Sequence, residues 1–160
     1  MMPIKMADPQ RILIVGCPGA GKTTFAKRLA SETGLPLVHM DALYWSAGWV
    51  ERPYDEFIDG LNDALMQERW IIDGNYLTTL PLRLARAQKI YFLDEPFWRC
   101  TYRVIKRWVK QEGQQAEGCP QKIDWAFLKY VAWDFPLFKR RKLIDALAQF
   151  AGDVVVRTGV

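Results

Sequence analysis

Histidine and cysteine are scarce in this chain of 160 residues. The single histidine, His39, argues against a histidine-rich metal site. The three cysteines, Cys17, Cys100 and Cys119, are odd in number and form no Cys-x-x-Cys pair, so neither a disulfide framework nor a zinc site is expected. Because reduced thiols are typical of the cytoplasm, we expect a cytoplasmic protein.

Long apolar runs and internal repeats are also lacking. No apolar stretch approaches the roughly 20 residues of a membrane-spanning helix, so no contact with a membrane is expected. Residues 1–10 hold two prolines but no long apolar region of the signal-peptide type, and we expect a flexible tail there. Half of the residues are apolar, which predicts one globular domain over residues 1–160.

The excess of positive charge is small. A net charge of +4 and a pI of about 9.0 suit a protein that binds phosphorylated molecules. The bias is too weak to require nucleic acid, and the sequence has no helix-turn-helix, zinc finger or arginine-rich tail. Contact with DNA therefore has no motif to support it.

One segment indicates a ligand class directly. Residues 16–23 read Gly-Cys-Pro-Gly-Ala-Gly-Lys-Thr, after an apolar run and before a helix-forming segment. This is the phosphate-binding pattern G-x-x-x-x-G-K-[ST] in its strand–loop–helix setting. The glycines let successive N–H groups turn inward around an anion, and the helix start adds unpaired donors and the positive end of its dipole. Lys22 supplies a charge for the β- and γ-phosphates, and the Thr23 hydroxyl can hold magnesium.

A glycine-rich turn that merely joins a strand to a helix is the alternative, but the flanks on both sides favour a nucleotide site. The sequence therefore predicts a protein that binds a nucleoside triphosphate and Mg²⁺. The residues assigned to the nucleotide in this segment are Gly16, Cys17, Pro18, Gly19, Ala20, Gly21, Lys22, Thr23 and Thr24.

Strand and helix patterns alternate along the chain. Periodicity predicts strands at residues 11–15, 35–40, 70–72, 90–93 and 154–156. Helices are predicted at 22–33, after Pro53, at 80–86, from Pro96 to about 111, at 123–134 and at 137–150, with a break at Pro136 and a loop at 113–121. This alternation predicts an α/β fold with a parallel sheet, whose ligands collect beyond the carboxyl ends of the strands.

Acidic residues follow three of the predicted strands. Asp73 is the first choice for holding magnesium through water, because it ends a strand beside the loop and Gly74 lets a ligand approach. Asp94 competes for this role, since residues 90–95 resemble the acidic strand of larger ATPases. Each of the two carboxylates is alternatively a solvated strand end or a helix N-cap.

Asp41 lies where a second substrate would dock, and it can orient or deprotonate an acceptor hydroxyl. The alternative for Asp41 is a cap or turn residue. His39 alternates with Asp41 and is expected on the same face of the strand. A lone histidine is more often a satisfied buried residue, so we leave His39 out of the catalytic set.

Arginines recur every four residues on the helix after the fourth strand, at Arg99, Arg103 and Arg107. A solvated basic face is the usual explanation for such a stripe. Its position in a phosphate-loop fold favours instead Arg103 stacking on the base, which adds it to the nucleotide site, and Arg107 reaching the phosphates. The predicted catalytic set is Lys22, Asp41, Arg103 and Arg107.

These features resemble those of the small adenylate-kinase-like P-loop proteins, which are related to shikimate and gluconate kinases. The match is closest to the DNA topology modulation, or FlaR-like, proteins. The marks that carry it are the loop, His-x-Asp followed by Leu-Tyr-Trp, Trp-Ile-Ile-Asp-Gly-Asn-Tyr, Phe-Leu-Asp, and Glu-Gly-Cys-Pro-x-Lys-Ile-Asp. They stand at residues 16–23, 39–45, 70–76, 92–94 and 117–124 and span nearly the whole chain.

The resemblance implies a three-layer P-loop NTPase fold, a five-stranded parallel sheet in the order 2-3-1-4-5, ATP as the nucleotide, and a small mobile lid. We place the lid at residues 108–122, where closure would exclude water and prevent wasteful hydrolysis. A basic cluster at residues 139–142 is more simply a solvated face. Residues 75–76 read Asn-Tyr where adenylate kinases place a Phe-Pro-Arg that grips the acceptor, so AMP is not the expected acceptor.

The leading hypothesis is an ATP- and Mg²⁺-dependent kinase that transfers a phosphoryl group to a small-molecule acceptor, since the sequence offers a phosphate site, a metal site and cations for the migrating charge. The alternative is an ATP-binding or ATP-hydrolysing regulatory protein that acts on DNA topology or gene expression. Its partner surface would comprise the basic helix and the tryptophans Trp45, Trp49 and Trp125. A large ATPase motor is disfavoured, because the chain is short for the extra helical domain of such machines.

Overall fold

A parallel sheet of five strands runs through the centre of the molecule, of which the structure, a computed structural model, describes residues 8–159. The elements in chain order are β1 (Arg11–Gly16), α1 (Lys22–Thr33), β2 (Leu37–His39), α2 (Met40–Tyr44), β3 (Trp45–Ser46), β4 (Val50–Glu51), α3 (Tyr54–Met66), β5 (Trp70–Asp73), a 3₁₀ turn (Leu77–Thr79), α4 (Leu80–Leu84), β6 (Lys89–Leu93), α5 (Phe97–Lys110), β7 (Gln114–Ala116), β8 (Cys119–Pro120), α6 (Trp125–Lys129), a π-helix (Tyr130–Lys139), α7 (Arg140–Ala148) and β9 (Asp153–Arg157).

The strands of the central sheet lie in the order β2-β5-β1-β6-β9, all parallel. Counted along the chain within this sheet alone, that is the order 2-3-1-4-5 that the resemblance implied. The register pairs Ile14 with Asp73, Gly16 with Leu93, and His39 with Asp73. The carboxyl ends of β1, β2, β5 and β6 therefore meet at one edge of the sheet, and the predicted α/β fold class is confirmed.

The central strands are buried on both faces, which explains their nearly continuous apolar sequences. The side chains of Leu13, Ile14, Ile71 and Ile72 are fully buried. Helix α1 has the predicted bounds: it begins after Gly21 and ends at Gly34, whose left-handed φ of 69° lets its N–H reach the carbonyl of Ala30. The sheet and its helices thus form a rigid platform beneath the phosphate loop.

Strand β2 is shorter than the predicted strand at 35–40. It ends at His39, and helix α2 begins at Met40, whose side chain is fully buried. At this point the buried Met40 side chain reaches the core from the first turn of a helix, and not from an extended strand. Asp41 consequently lies in the first turn of α2, where the N–H of Trp45 bonds to its carbonyl.

Two segments for which no strand or helix was predicted contain short antiparallel hairpins. The aromatic segment after α2 forms β3–β4, and the segment between α5 and α6 forms β7–β8. Strands of two or three residues are too short to show an alternating pattern, so they could not be predicted from the sequence. We call these two elements the acceptor hairpin (residues 45–51) and the lid hairpin (residues 114–120).

The sequence predicted that Pro136 separates two helices, but the helical path is continuous there. Pro136 lies inside the π-helix, which joins α6 to α7 without interruption. In an α-helix the proline ring would clash with the carbonyl four residues earlier. The wider π-helical turn shifts that carbonyl away, and the helical path continues.

The tail predicted at residues 1–10 lies largely outside the described residues. Gln10, at its end, is fixed: its carbonyl accepts a bond from the N–H of Trp70 (2.8 Å), and its own N–H donates to the side chain of Gln88 (2.8 Å). Within residues 8–159, none of the helices has both the length and the apolar character needed to cross a membrane.

Candidate functional site

A cavity of about 910 Å³ lies at the carboxyl edge of the sheet, beyond β1, β2 and β5. We call it the central cavity. It brings together most of the residues that the sequence assigned to a site: Pro18, Gly19, Gly21, Lys22, Thr23, Thr24, Asp41, Asp73 and Arg107. Cys17 and Asp94 instead line a second cavity of about 560 Å³ on the other side of the loop.

The phosphate loop has a shape that its glycines alone permit. Gly19 and Gly21 have φ angles of 85° and 89°, in the left-handed region that favours glycine. A Cβ atom at Gly16 would lie 2.4 Å from the carbonyl oxygen of Leu93, and one at Gly19 would lie 2.5 Å from that of Cys100. The loop is therefore packed directly against β6 and α5, which fixes the direction of its amides.

Lys22 is folded back over this loop. Its Nζ donates to the carbonyls of Gly16 (2.9 Å) and Cys17 (3.0 Å). Burial lowers the pKa of Lys22, and the nearby carboxylates of Asp73 and Asp41 partly counteract that shift. A buried ammonium group whose closest partners are neutral carbonyls gains most from an anionic ligand, which is what a phosphate in the loop would provide.

Asp73 and His39 form a pair at the ends of adjacent strands. Asp73 is only 5% exposed, and its Oδ1 lies 2.8 Å from Nδ1 of His39. This bond to Asp73 raises the pKa of His39, against the opposing effect of burial. His39 and Asp41 were expected on the same face of the strand, and both residues do line the cavity. The contact with Asp73 was missed, because it depends on the pairing of β2 with β5.

Asp41, which also lines the cavity, is held by Tyr76. The Tyr76 hydroxyl donates to Oδ1 of Asp41 over 2.6 Å. Burial and the Asp41 charge raise the pKa of Tyr76, so the hydroxyl keeps its proton and remains a donor. The rings of Trp45 and Trp49, whose centroids are 5.4 Å apart, form an aromatic wall beside this pair.

Two arginines of α5 approach the loop. Arg107 lines the central cavity, and its buried Nε has no hydrogen-bond partner in the part of the chain that the structure describes. Burial lowers the pKa of Arg107, while the charge of Asp41 raises it. Nη1 of Arg103 lies 4.0 Å from the position that a Cβ atom at Gly21 would take. Arg99, the first member of the predicted stripe, pairs with Glu95 over 3.1 Å.

Asp94, the alternative magnesium residue, has a different partner. Its carboxylate accepts two bonds from Arg140, from Nε over 2.8 Å and from Nη2 over 2.6 Å. Asp94 lines the second cavity, whereas Thr23 and Asp73 line the central cavity. The basic cluster at 139–142 is also divided, because Lys139 lines the central cavity whereas Arg140 joins the start of α7 to the end of β6.

Asn75 is a loop-binding residue that the sequence analysis did not identify. Its Nδ2 donates to the carbonyl of Gly16 (2.6 Å), and its Oδ1 accepts from the N–H of Gly16 (3.0 Å). The sequence comparison placed Asn75 and Tyr76 where adenylate kinases grip the acceptor. In this structure both residues line the central cavity, but Tyr76 binds Asp41 whereas Asn75 binds the phosphate loop.

The lid hairpin and the acceptor hairpin touch each other at the edge of the cavity. The N–H of Gly48 donates to the carbonyl of Gly118 (3.0 Å), and Nε1 of Trp49 donates to that of Pro120 (3.1 Å). The thiol of Cys119 is fully buried and donates to the carbonyl of Ser46 (3.2 Å). This hairpin contact joins the predicted lid segment to the aromatic wall, and the buried Cys119 packs within it, as expected of a cysteine that is not a nucleophile.

Magnesium fits this donor set only in company with a phosphorylated ligand. No group of three or more histidine, cysteine, aspartate or glutamate side chains that could hold a metal ion occurs within residues 8–159. Thr23 and Asp73 nevertheless line the same cavity as the phosphate loop. Magnesium in nucleotide sites usually has one or two protein oxygens, with water and phosphate oxygens completing its shell.

Comparison with known proteins gives both a family and a fold. The family model described as "ATPase family associated with various cellular activities (AAA)" matches residues 12–95, just over half of the chain. The chain is also similar to the ATP-dependent protease ATPase subunit HslU of Campylobacter jejuni subsp. doylei, with 36% identity over 59 residues. That match covers 36% of this chain and 13% of HslU, so the chain spans only a small part of the length of this relative.

Two solved structures have the same fold. The shikimate kinase of Acinetobacter baumannii, solved in complex with shikimate, has a TM-score of 0.64 and 16% identity, covering 93% of this chain and 84% of that one. The shikimate kinase of Bacteroides thetaiotaomicron has a TM-score of 0.57 and 17% identity, covering 92% of this chain and 86% of that one. At these identities the likeness concerns the fold alone.

Proposed function

The chain belongs to the family of ATPases associated with various cellular activities, and from this premise we propose that it is an ATP- and Mg²⁺-dependent kinase of the adenylate-kinase-like class, acting on a small-molecule acceptor. One observation carries the proposal: the central cavity contains both a phosphate cradle and a carboxylate–tyrosine pair beside an aromatic wall, which we assign to a nucleotide end and an acceptor end. Its volume of about 910 Å³ suits a nucleotide together with a small second substrate.

At the nucleotide end, the amides of the loop and Lys22 would hold the β- and γ-phosphates. The Thr23 hydroxyl and, through water, Asp73 would hold magnesium, which supplies positive charge against the phosphate oxygens. Arg107 would neutralise charge on the migrating phosphoryl group, and Arg103 would stack on the adenine. The burial of Arg107 supports its role, because a poorly solvated guanidinium interacts strongly with an anion.

At the acceptor end, Asp41 would orient the acceptor hydroxyl and take up its proton as the phosphoryl group is transferred. Tyr76 fixes the orientation of that carboxylate through its 2.6 Å hydrogen bond. Trp45 and Trp49 would exclude water from the reacting groups. Asn75 is bound to the phosphate loop, which supports an acceptor other than AMP.

A second candidate function keeps the likeness to DNA topology modulation (FlaR-like) proteins: ATP-dependent regulation through contact with DNA. The observation that favours it is helix α5, which carries five basic and no acidic residues and exposes Trp98 (59%) and Tyr102 (61%). Of the tryptophans proposed from the sequence, however, only Trp125 is exposed (82%), whereas Trp45 and Trp49 face the central cavity. This candidate ranks second for that reason.

Release of ADP, followed in a coupled assay over a panel of nucleosides, nucleotides and small alcohols, tests the kinase proposal. We expect turnover that depends on one acceptor class, and a loss of about 10²-fold or more in Lys22→Ala, because a preorganised charge at the phosphates is removed. Lys142→Ala is the matched control, since Lys142 is exposed and lies outside the cavity.

ATP turnover that is equally fast with and without every acceptor would contradict a kinase. Retention on DNA at low salt, with an affinity that falls steeply as salt rises, would support the second candidate in its place.

A further inference from the structure

Arg83 of α4 is completely buried, yet no carboxylate within residues 8–159 forms an ion pair with it. Its guanidinium donates instead to three consecutive main-chain carbonyls. Nη1 bonds to Gly74 (2.6 Å), and Nη2 bonds to Asn75 and to Tyr76 (2.9 Å for Tyr76). Burial lowers the pKa of Arg83 to about 10, so the group is still charged at neutral pH.

Stability alone does not account for a charge in this position. Burying a guanidinium is costly, and apolar residues of similar volume often replace buried charges without loss of stability. The Nε of Arg83 adds to the cost, because it has no hydrogen-bond partner among the described residues. What the buried guanidinium provides is a fixed path for residues 74–76, because all three of their carbonyls bond to the Arg83 side chain.

Two of these three residues bind groups that we assign to the two ends of the central cavity. Asn75 binds the N–H and the carbonyl of Gly16, the first residue of the phosphate loop. Tyr76 binds Asp41 at the acceptor end. The backbone that directs these side chains is strained, because Tyr76 has a left-handed φ of 36°, which is costly for a residue with a side chain. Thr79 also bonds to the Tyr76 carbonyl, through its N–H (2.9 Å) and its hydroxyl (3.0 Å), and Arg83 joins that carbonyl to those of Gly74 and Asn75.

We propose that Arg83 is a positioning residue for both halves of the reaction, although it does not line the cavity. Through Asn75 it sets the start of the phosphate loop, and through Tyr76 it sets the acceptor carboxylate of Asp41. The acceptor half of this inference rests on the proposed kinase function. The nucleotide half does not, because it needs only that the loop binds a triphosphate.

The variants that test it are Arg83→Met, which keeps the length and removes the donors, and Arg83→Lys, which keeps the charge without the planar fork. The matched control is Arg11→Met. Arg11 also donates to main-chain carbonyls, those of Arg86 (2.7 Å) and Glu68 (3.5 Å), but at the amino edge of the sheet.

For each variant we would measure the melting temperature and the Kd of a non-hydrolysable ATP analogue. We would also measure kcat and KM for the acceptor that the panel assay selects. Arg83→Met should lower kcat by about 10²-fold, as expected when reacting groups are displaced by about 1 Å, and Arg83→Lys should fall between it and the native protein. Arg11→Met should lose stability while its Kd and kcat stay within about twofold of native, because its bonds lie far from the cavity.

Double-mutant cycles separate positioning from general structural support. The effects of Arg83→Lys and Asn75→Ala on nucleotide affinity should be strongly non-additive, and so should those of Arg83→Lys and Tyr76→Phe on kcat, because each pair acts along one path. Arg83→Lys combined with Lys142→Ala should be additive.

Full additivity in the first two cycles, or a folded Arg83→Lys protein with native Kd and kcat, would overturn the proposal. If Arg83→Met does not fold, the cycles in the Arg83→Lys background still decide. If the native protein transfers no phosphoryl group, the kinase function fails, and the affinity cycle through Asn75 tests the role of Arg83 independently.

Discussion

At the scale of single residues, the phosphate loop combines a familiar sequence pattern with contacts that the pattern does not contain. The residues Lys22, Thr23, Asp41 and Asp73, which the sequence assigned to the site, all line one cavity, because each has a fixed place relative to the loop or to a strand end. Asn75 was not recognised, because its two bonds to Gly16 cross between strands. A side chain that binds a backbone 59 residues away leaves no local signal in the sequence.

Gly19 should be far less tolerant of alanine than Gly34, although both have left-handed φ angles. Gly34 has no atom within 4 Å of the Cβ position, so Gly34→Ala should cost only the backbone strain of roughly 1–2 kcal/mol. Gly19→Ala adds a 2.5 Å clash with the carbonyl of Cys100, which should cost roughly 1–3 kcal/mol more.

Urea unfolding of the two alanine variants measures this difference. Equal losses of stability would mean that α5 can move away from the loop without cost, and that the close packing of Gly19 does not fix the loop.

At the scale of elements, the sequence predicted the long, periodic helices and the buried strands, and it missed the short or irregular pieces. Helix α1 was correct at both ends because glycines mark them. The hairpins escaped detection since two residues cannot show a period, and the helix through Pro136 was split because a π-helical turn has no sequence signature. The conformation of these short and irregular segments is set by tertiary packing, which a local sequence pattern does not contain.

The hairpin contact makes a prediction at this scale. A Cβ atom at Gly118 would lie 2.6 Å from that of Ala47, so Gly118→Ala should force the lid hairpin away from the acceptor hairpin. A cost of about 1.4–3 kcal/mol for this overpacking would raise the open population by about tenfold or more. The buried thiol of Cys119 should then react with iodoacetamide about tenfold faster, as measured by peptide mass spectrometry.

Gly113→Ala is the control for that measurement, because Gly113 also has a left-handed φ, of 75°, but has open space at its Cβ position. An unchanged rate for Cys119 in Gly118→Ala, or an equal increase in both variants, would show that the contact does not hold the hairpins together.

At the scale of the whole molecule, the strand order brings the ends of β2, β5 and β1 side by side, so that residues from distant parts of the chain share one cavity. The alternation of helices and strands predicted this sheet, and the resemblance supplied its order. Neither the alternation nor the resemblance predicted the partner of Asp94, because Arg140 lies 46 residues further along the chain and its position follows from the path of the π-helix.

Ligand-induced stabilisation distinguishes the two carboxylates that competed for magnesium. ATP with Mg²⁺ should raise the melting temperature of the native protein more than ATP with a chelator, because a ligand that binds only the folded state stabilises it by mass action. Asp73→Asn should lose this increment due to magnesium. Asp94→Asn should keep the increment. Without ligand this variant should be less stable by about 1 kcal/mol and melt at a lower temperature, and the loss is small because the pair with Arg140 is partly exposed.

Scanning fluorimetry of the three proteins over a magnesium titration gives the comparison. Loss of the increment in Asp94→Asn, with Asp73→Asn unaffected, would reverse the assignment of the two residues.

The adjacency of Asn75 and Tyr76 has a thermodynamic consequence. Asn75 holds the phosphate loop and Tyr76 holds Asp41, the carboxylate that we propose faces the acceptor, so a ligand that shifts either side chain would move the backbone that carries both. Binding at the two ends is then energetically linked, and linkage is reciprocal: the factor by which nucleotide alters the affinity for acceptor must equal the factor by which acceptor alters the affinity for nucleotide. Three residues of main chain would thus suffice to make the two ligands cooperative.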